Sequence, residues 1–253
     1  MGEERIWLDI HEQWMDDSTK AVNYALLTTF VDSCAKVDIY SLDGVKKATK
    51  HYYAYVSDPK QRIKNGLFTE YYSDGTDSVT MNYVNNILEG EKVVYYPEGQ
   101  KRFVYFYHKG HTLKMLQYYP NGKLRREEFY EEGKPAQGRL YAGDGTELEF
   151  EPYNVRPRAA DMLAFMQFVA RRIRYPKDAS YKKIQGRVLV EFDVDTEGGI
   201  SNLKVVKSVY PSLDKEALAV LKSAFKNYKW ISGKQDGVPK RMKHIVPVTF
   251  RLN

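Results

Sequence analysis

GRVLVEFDVDTEGGISNLKVVKSV (186–209) decides how the last third of this chain is read. Val188, Val190, Phe192 and Val194 occupy every second position, the period of a strand with one buried face. Glu197-Gly198-Gly199 supplies turn residues, so the stretch is expected to be a hairpin of strands 186–195 and 200–209. Before it, Met162, Phe165, Met166, Val169 and Ile173 recur at helical spacing from about 161 to 174, and Pro176 stops that helix. After it, Leu213, Ala217, Val220, Leu221 and Ala224 line one side of a helix from about 212 to 228. Ser212 suits its cap, and Asp214 and Glu216 suit its positive dipole end. A loop with Gly233 and Gly237 leads to a closing strand, HIVPVTFRLN (244–253). A right-handed helical crossover puts that strand beside the first one, giving the order second, first, closing, with the closing strand on an edge. Pro247 agrees, because a residue without an N–H is tolerated on edges. Val246, Val248, Phe250 and Leu252 should face the helices, and Ile245, Thr249 and Arg251 should point outward. The expectation is an α+β unit, a three-stranded antiparallel or mixed sheet packed on two helices.

The front of the chain is built on a recurring turn. YSLDG (40–44), YYSDG (71–75), YYPEG (95–99), YYPNG (118–122) and YAGDG (141–145) end on Gly44, Gly75, Gly99, Gly122 and Gly145, separated by 31, 24, 23 and 23 residues. Such a period belongs to an array in which each unit buries its face against the next, and the unit here is a hairpin. In YYPNG, Pro120 presets the first turn position, Asn121 suits the second, and Gly122 adopts the positive φ that returns the chain to a strand. A second glycine, at Gly110 and Gly133, marks the opposite end of the unit. The segment before Ile63 is strand-rich but out of step, and reads as a divergent or capping part of the same sheet. Residues 151–163 carry two prolines and no period. The expected organisation is an antiparallel β-hairpin repeat domain over 1–152, with 1–62 its capping part, a linker over 153–163 and the α+β domain over 164–253.

Composition divides at the same place. Seventeen of the 21 tyrosines precede Asn154. Residues 154–253 hold 20 Lys and Arg against 9 Asp and Glu, while residues 1–153 hold 19 against 24, so the formal charge of +6 joins a basic half to an acidic one. A basic surface attracts an anionic partner and sets on-rate and salt dependence. Cys34 is the lone cysteine, which rules out an intrachain disulfide and leaves the compartment unread. No apolar run approaches the roughly 20 residues of a membrane span, and Met1-Gly2-Glu3-Glu4 is not a signal peptide.

Chemistry-bearing constellations are weak. Asp193-Val194-Asp195-Thr196-Glu197-Gly198 begins like a calcium loop, but the position of the bidentate Glu is Lys204, so a hairpin turn is the better reading. His108 and His111 flank Gly110 at a turn and lack a third ligand, so no metal and no cofactor are expected. Glu127-Glu128 and Glu131-Glu132 read as the solvated face of a strand and its turn. Arg171, Arg172, Arg174, Lys177, Lys182, Lys183 and Arg187 read as the polar side of a helix and loop rather than a nucleic-acid surface. No nucleophile elbow or phosphate loop occurs, and an enzyme is not expected.

Two resemblances bring these readings together. The Tyr-Tyr-x-Asn-Gly turns over about 63–150 resemble MORN-type repeats of bacterial proteins. Tyr175-Pro176 with Ala179, then Gln185-Gly186-Arg187-Val188, Asp195 to Gly199, Leu213-Asp214 with Ala217, Trp230 with Gly233-Lys234-Gln235-Asp236-Gly237, and Pro247-Val248-Thr249-Phe250 resemble the TonB C-terminal family in order and spacing, closest to Bacteroides-like forms. Ser232 stands where those forms carry proline. The resemblance implies a periplasmic protein that holds the TonB box of an outer-membrane TonB-dependent receptor, with an inner-membrane proton-channel complex as a further partner if an anchor was removed, and with homodimerisation through the C-terminal domain open. It implies structural roles for Tyr175, Pro176, Gly186, Trp230 and Gly233. Strand addition would place the peptide against Ile245, Val248, Thr249, Phe250, Arg251 and Leu252. The alternative is an envelope scaffold whose repeat sheet binds glycan, lipid or protein while the C-terminal domain anchors it. A targeting segment or anchor removed upstream is expected on either reading.

Overall fold

The computed structural model describes residues 3–29 and 34–252. It divides into two compact units, 1–150 and 151–253.

Among the described residues, the first unit is an antiparallel sheet of 14 strands. From Gly66–Tyr71 to Lys134–Tyr141 every strand pairs with the next in sequence. Lys46–Ala54, Ala35–Ser41, Asn23–Thr29 and Glu3–Leu8 continue the same sheet. At one end each hairpin closes with the same two bonds: Tyr119 N–H donates to Lys123 O at 2.9 Å and Gly122 N–H to Tyr119 O at 2.9 Å, and the turns at Ser41, Tyr72, Tyr96 and Ala142 repeat the pattern. Gly122 lies at φ +79°, and Gly75, Gly99 and Gly145 at +88°, +88° and +97°. At the other end Asn85-Asn86, Lys109-Gly110 and Glu132-Gly133 place both residues at positive φ, the two-residue turn whose twist matches that of the strands. A ladder of phenols joins successive hairpins: Tyr72 donates to Tyr95 O at 2.7 Å, Tyr96 to Tyr118 O at 2.9 Å and Tyr119 to Tyr141 O at 2.9 Å.

One sequence expectation fails in this sheet. Glu128 is wholly buried rather than solvated, bonded to Arg126 at 3.1 Å and to the Tyr130 hydroxyl at 2.8 Å. It shares a face with Met115, its cross-strand neighbour, and with Arg126 opposite Gln117. Residue alternation cannot distinguish a covered face from an open one, and the neighbouring cation is what lets the carboxylate be buried.

In the second unit a three-stranded sheet runs in the order Ile200–Lys207, Gly186–Val194, Met242–Phe250, with both neighbouring pairs antiparallel. Helices Met162–Arg172 and Pro211–Asn227 flank the buried cluster of Phe165, Val188, Val190, Phe192, Leu213, Leu221, Val248 and Phe250. Several boundaries differ from expectation. The closing strand starts at Met242 and ends at Phe250. A short helix, Lys177–Tyr181, follows Pro176, which stands at its N-cap, so there are three helices rather than two. Ser212 does not cap the long helix: Tyr210 is the N-cap, Pro211 opens the helix, and the Ser212 hydroxyl is buried without a partner. Asp214 reaches back instead, accepting from Ser208 Oγ at 2.5 Å and Val209 N–H at 3.3 Å. Proline at the first helical position suited the site better, because that position has no partner for an N–H.

The expected linker, 153–163, is paired structure. Asn154–Val155 pairs with Gly233–Gln235, and Arg158–Ala159 with Trp230–Ile231. Ala159 is fully buried, Ala160 N–H donates to Lys229 O at 2.9 Å, and Asp236 N–H to Tyr153 O at 2.6 Å. Two-residue strands have no detectable period, which is why the sequence reads as irregular there.

Candidate functional site

The three-stranded sheet has two open edges of different quality. Along Ile200–Lys207 the pairing shifts twice, Asn202 sits at φ +56°, and Lys204, Val206 and Lys207 are exposed. Bulges and lysines blunt an edge against further pairing. Along Met242–Phe250 nine successive residues pair with the central strand, from Val194↔Met242 to Gly186↔Phe250, without a shift. That edge is regular in register.

Its main-chain groups can be assigned. Leu252 N–H donates to Gln185 Oε1 at 2.9 Å, toward the start of the central strand. N–H directions alternate along an extended chain, so Arg251, Thr249 and Ile245 direct theirs to the open side, while Pro247 has none. Side chains follow the same parity: Val246, Val248 and Phe250 are buried, and Ile245, Thr249 and Arg251 are exposed. Leu252 departs from the expected set, since it lies beyond the strand with its N–H already bonded. Gln185 entered the sequence reading only as part of the family pattern, because sequence alone does not reveal that its side chain reaches the far end of the chain.

Beside the open edge runs a groove of about 650 Å³, walled by Met166, Val169, Ala170, Ile173 and Tyr175 and floored by 247–251. Tyr175 is fixed at both ends, its hydroxyl donating to Ile184 O and its ring standing edge-on to Phe250 at 5.8 Å. Gly186, Gly233 and Trp230 of the signature are closely packed. A Cβ on Gly186 would meet Val209 Cγ1 at 2.9 Å. One on Gly233 would meet Met242 Sδ at 2.5 Å and Pro157 Cδ at 2.9 Å. Trp230 is buried edge-on against Phe192 at 4.9 Å and Phe165 at 5.4 Å.

Among the residues that line the groove, Arg251 is the charged one. On the solvent face of the sheet, Glu191 is bridged by Lys243 at 3.1 Å and Lys204 at 3.2 Å, and these bonds hold its carboxyl below the usual range. Asp193 pairs with Arg241 at 3.5 Å. Among the described residues, Arg174, Arg187 and Arg251 have no ion pair and are exposed. In the hairpin turn, Asp195 accepts from Gly199 N–H at 2.7 Å and Glu197 N–H at 2.9 Å, and those amides hold its carboxyl low. His108 pairs with Glu89 at 2.9 Å.

This regular edge over an apolar groove is the setting in which the known relatives become informative. Residues 171–252 match the family described as Gram-negative bacterial TonB protein C-terminal. Over these residues the chain is similar to TonB-type C-terminal domains. Two curated relatives, both Protein TonB from strains of Helicobacter pylori, are 33% identical over 82 residues, 32% of this chain and 29% of each relative. The chain thus spans under a third of the length of the curated relatives it matches. Two solution structures of the Helicobacter pylori TonB C-terminal domain are 28% and 27% identical, each covering 35% of this chain, and 78% and 90% of their own chains, with TM-scores of 0.29 and 0.28. In this chain the strap 154–159, which precedes the matched residues, pairs onto the TonB-type domain through Trp230–Gln235. No helix among the described residues is long and apolar enough to cross a membrane.

Proposed function

We propose that this chain is a periplasmic TonB-like interaction protein whose C-terminal domain receives an extended peptide, the TonB box of an outer-membrane receptor, in support of energy-dependent transport. The observation that carries the reading is the open edge of Met242–Phe250, in unshifted register with the central strand and beside a groove walled by apolar side chains, within a domain matched to the TonB C-terminal family. Strand addition would draw affinity from the outward main-chain groups of Ile245, Thr249 and Arg251, and alternate side chains of the peptide would enter the groove. Val248 and Phe250 contribute its floor rather than hydrogen bonds. Arg174, Arg187 and Arg251 would speed the approach of an acidic segment.

The test is Thr249→Pro. Its N–H is not used by the central strand, so the domain should keep its circular dichroism and melting temperature. Binding to an array of receptor N-terminal peptides, read by fluorescence anisotropy, should be lost. Unchanged affinity in that variant would refute the edge as the receiving surface.

A second reading makes the front sheet, taken as a MORN-type array, the working surface for glycan, lipid or protein. What favours it is the recurrence of half-buried Tyr71, Tyr95, Tyr118 and Tyr141 on one face of successive hairpins. Expressing 1–150 and 151–253 separately and asking which retains envelope binding separates the two.

A further inference from the structure

We infer that Pro247 limits the strength of the peptide grip by interrupting the donor row of the receiving edge; the inference rests on the strand-addition reading above. The parity set by Leu252 N–H on Gln185 Oε1, 2.9 Å, sends the main-chain groups of residues 245, 247, 249 and 251 to the open side. Pro247 falls in this outward set and is paired opposite Leu189 within a run that never shifts register. It therefore costs the sheet nothing internally, since no ladder bond to the central strand is missing. The loss falls entirely on whatever strand is added.

A partner strand meets donors at Ile245 and Thr249, with only a carbonyl acceptor between them. One of its own carbonyls faces the pyrrolidine ring, which also lines the groove with Val248 and Thr249. In either strand direction one main-chain bond of the added ladder is absent, and it is absent from the middle of the edge rather than its frayed end. The edge behaves as two short donor patches joined by an apolar step. Such a grip forms readily from either patch and releases faster than a continuous ladder, and the same interruption blunts pairing with a second copy.

Pro247→Ala tests this, because it restores the missing donor and removes only the pyrrolidine ring from the groove's floor, leaving Val248 and Phe250 in place. With the tightest-binding peptide of the receptor array, the variant should bind about two- to tenfold more tightly, the worth of one main-chain hydrogen bond. The gain should appear in the dissociation rate, and the amide newly present at position 247 should become protected from hydrogen exchange on adding peptide. A variant that keeps its fold but binds no more tightly, or whose amide at position 247 stays unprotected when peptide is bound, overturns the inference while leaving strand addition standing. A wild-type chain that binds none of the peptides overturns strand addition, and the inference with it.

Discussion

At the scale of single residues, backbone conformation and desolvation decide what each position tolerates. Gly122 sits at φ +79° with nothing within 4 Å of where a Cβ would stand, so a substitution there is penalised by the backbone alone. Gly122→Val should cost more than about 1 kcal/mol, seen as a lowered unfolding midpoint in denaturant. A variant as stable as wild type would contradict the turn. His244 makes a second case. Burial pushes its imidazole below 6.5, with Arg156 adding to the effect, and it packs against Trp230 at 5.0 Å and Phe192 at 5.6 Å. The unfolded chain binds that proton more readily, so this site's contribution is intact above 6.5 and is lost as pH falls through 6.5 toward the lower folded value. Thermal melts on either side of that pH should therefore diverge in wild type, and His244→Phe should narrow the difference. An equally steep dependence in the variant would assign it elsewhere.

At the scale of elements, the phenol ladder explains why the turn motifs begin with paired tyrosines. The first supplies a carbonyl and the second a hydroxyl, so Tyr96 of one hairpin reaches Tyr118 O of the next. Ladder positions end where Ser41 and Ala142 replace the second tyrosine. Tyr96→Phe should cost about 1 kcal/mol through one lost hydrogen bond, measured by denaturant unfolding against Tyr53→Phe at a residue that is 46% exposed. Equal effects of the two changes would remove the ladder from the account. The repeat was legible because Gly and Tyr recur at a fixed spacing, and the ladder was not, because strand order must first bring residues 96 and 118 together. The cap of the long helix was misread for a related reason: Ser212 is a good capping type, but Pro211 sets the helix start one residue earlier.

At the scale of the whole molecule, the second unit begins well before its first long helix. Its strap contributes a fully buried Ala159 and two pairings onto Trp230–Gln235. A fragment of residues 151–253 should fold cooperatively, and one of 164–253 should melt at least about 4 °C lower, the shift expected for a loss of about 1 kcal/mol in a domain of this size. Equal melting temperatures would return 153–163 to the status of a linker.

Elements whose periods are long enough to register were readable from the chain before any contact between them was known. Val188 to Val194, the helical rows at Phe165 and Leu221, and the spaced glycines each repeat over many residues, and a right-handed crossover then put Met242–Phe250 at an edge. The signature Tyr175-Pro176, Gly186, Trp230 and Gly233 was likewise readable as a pattern. Which edge was left smooth depended on the folded chain, because the bulges of Ile200–Lys207 arise from pairing rather than composition. Folding also buried Glu128 on Arg126, laid the strap onto Trp230–Gln235, and brought Gln185 to Leu252 across 67 residues of chain. The pairings of the strap and of Gln185 join segments remote in sequence, and the burial of Glu128 depends on neighbouring strands; local propensity carries no information about which remote segment will arrive.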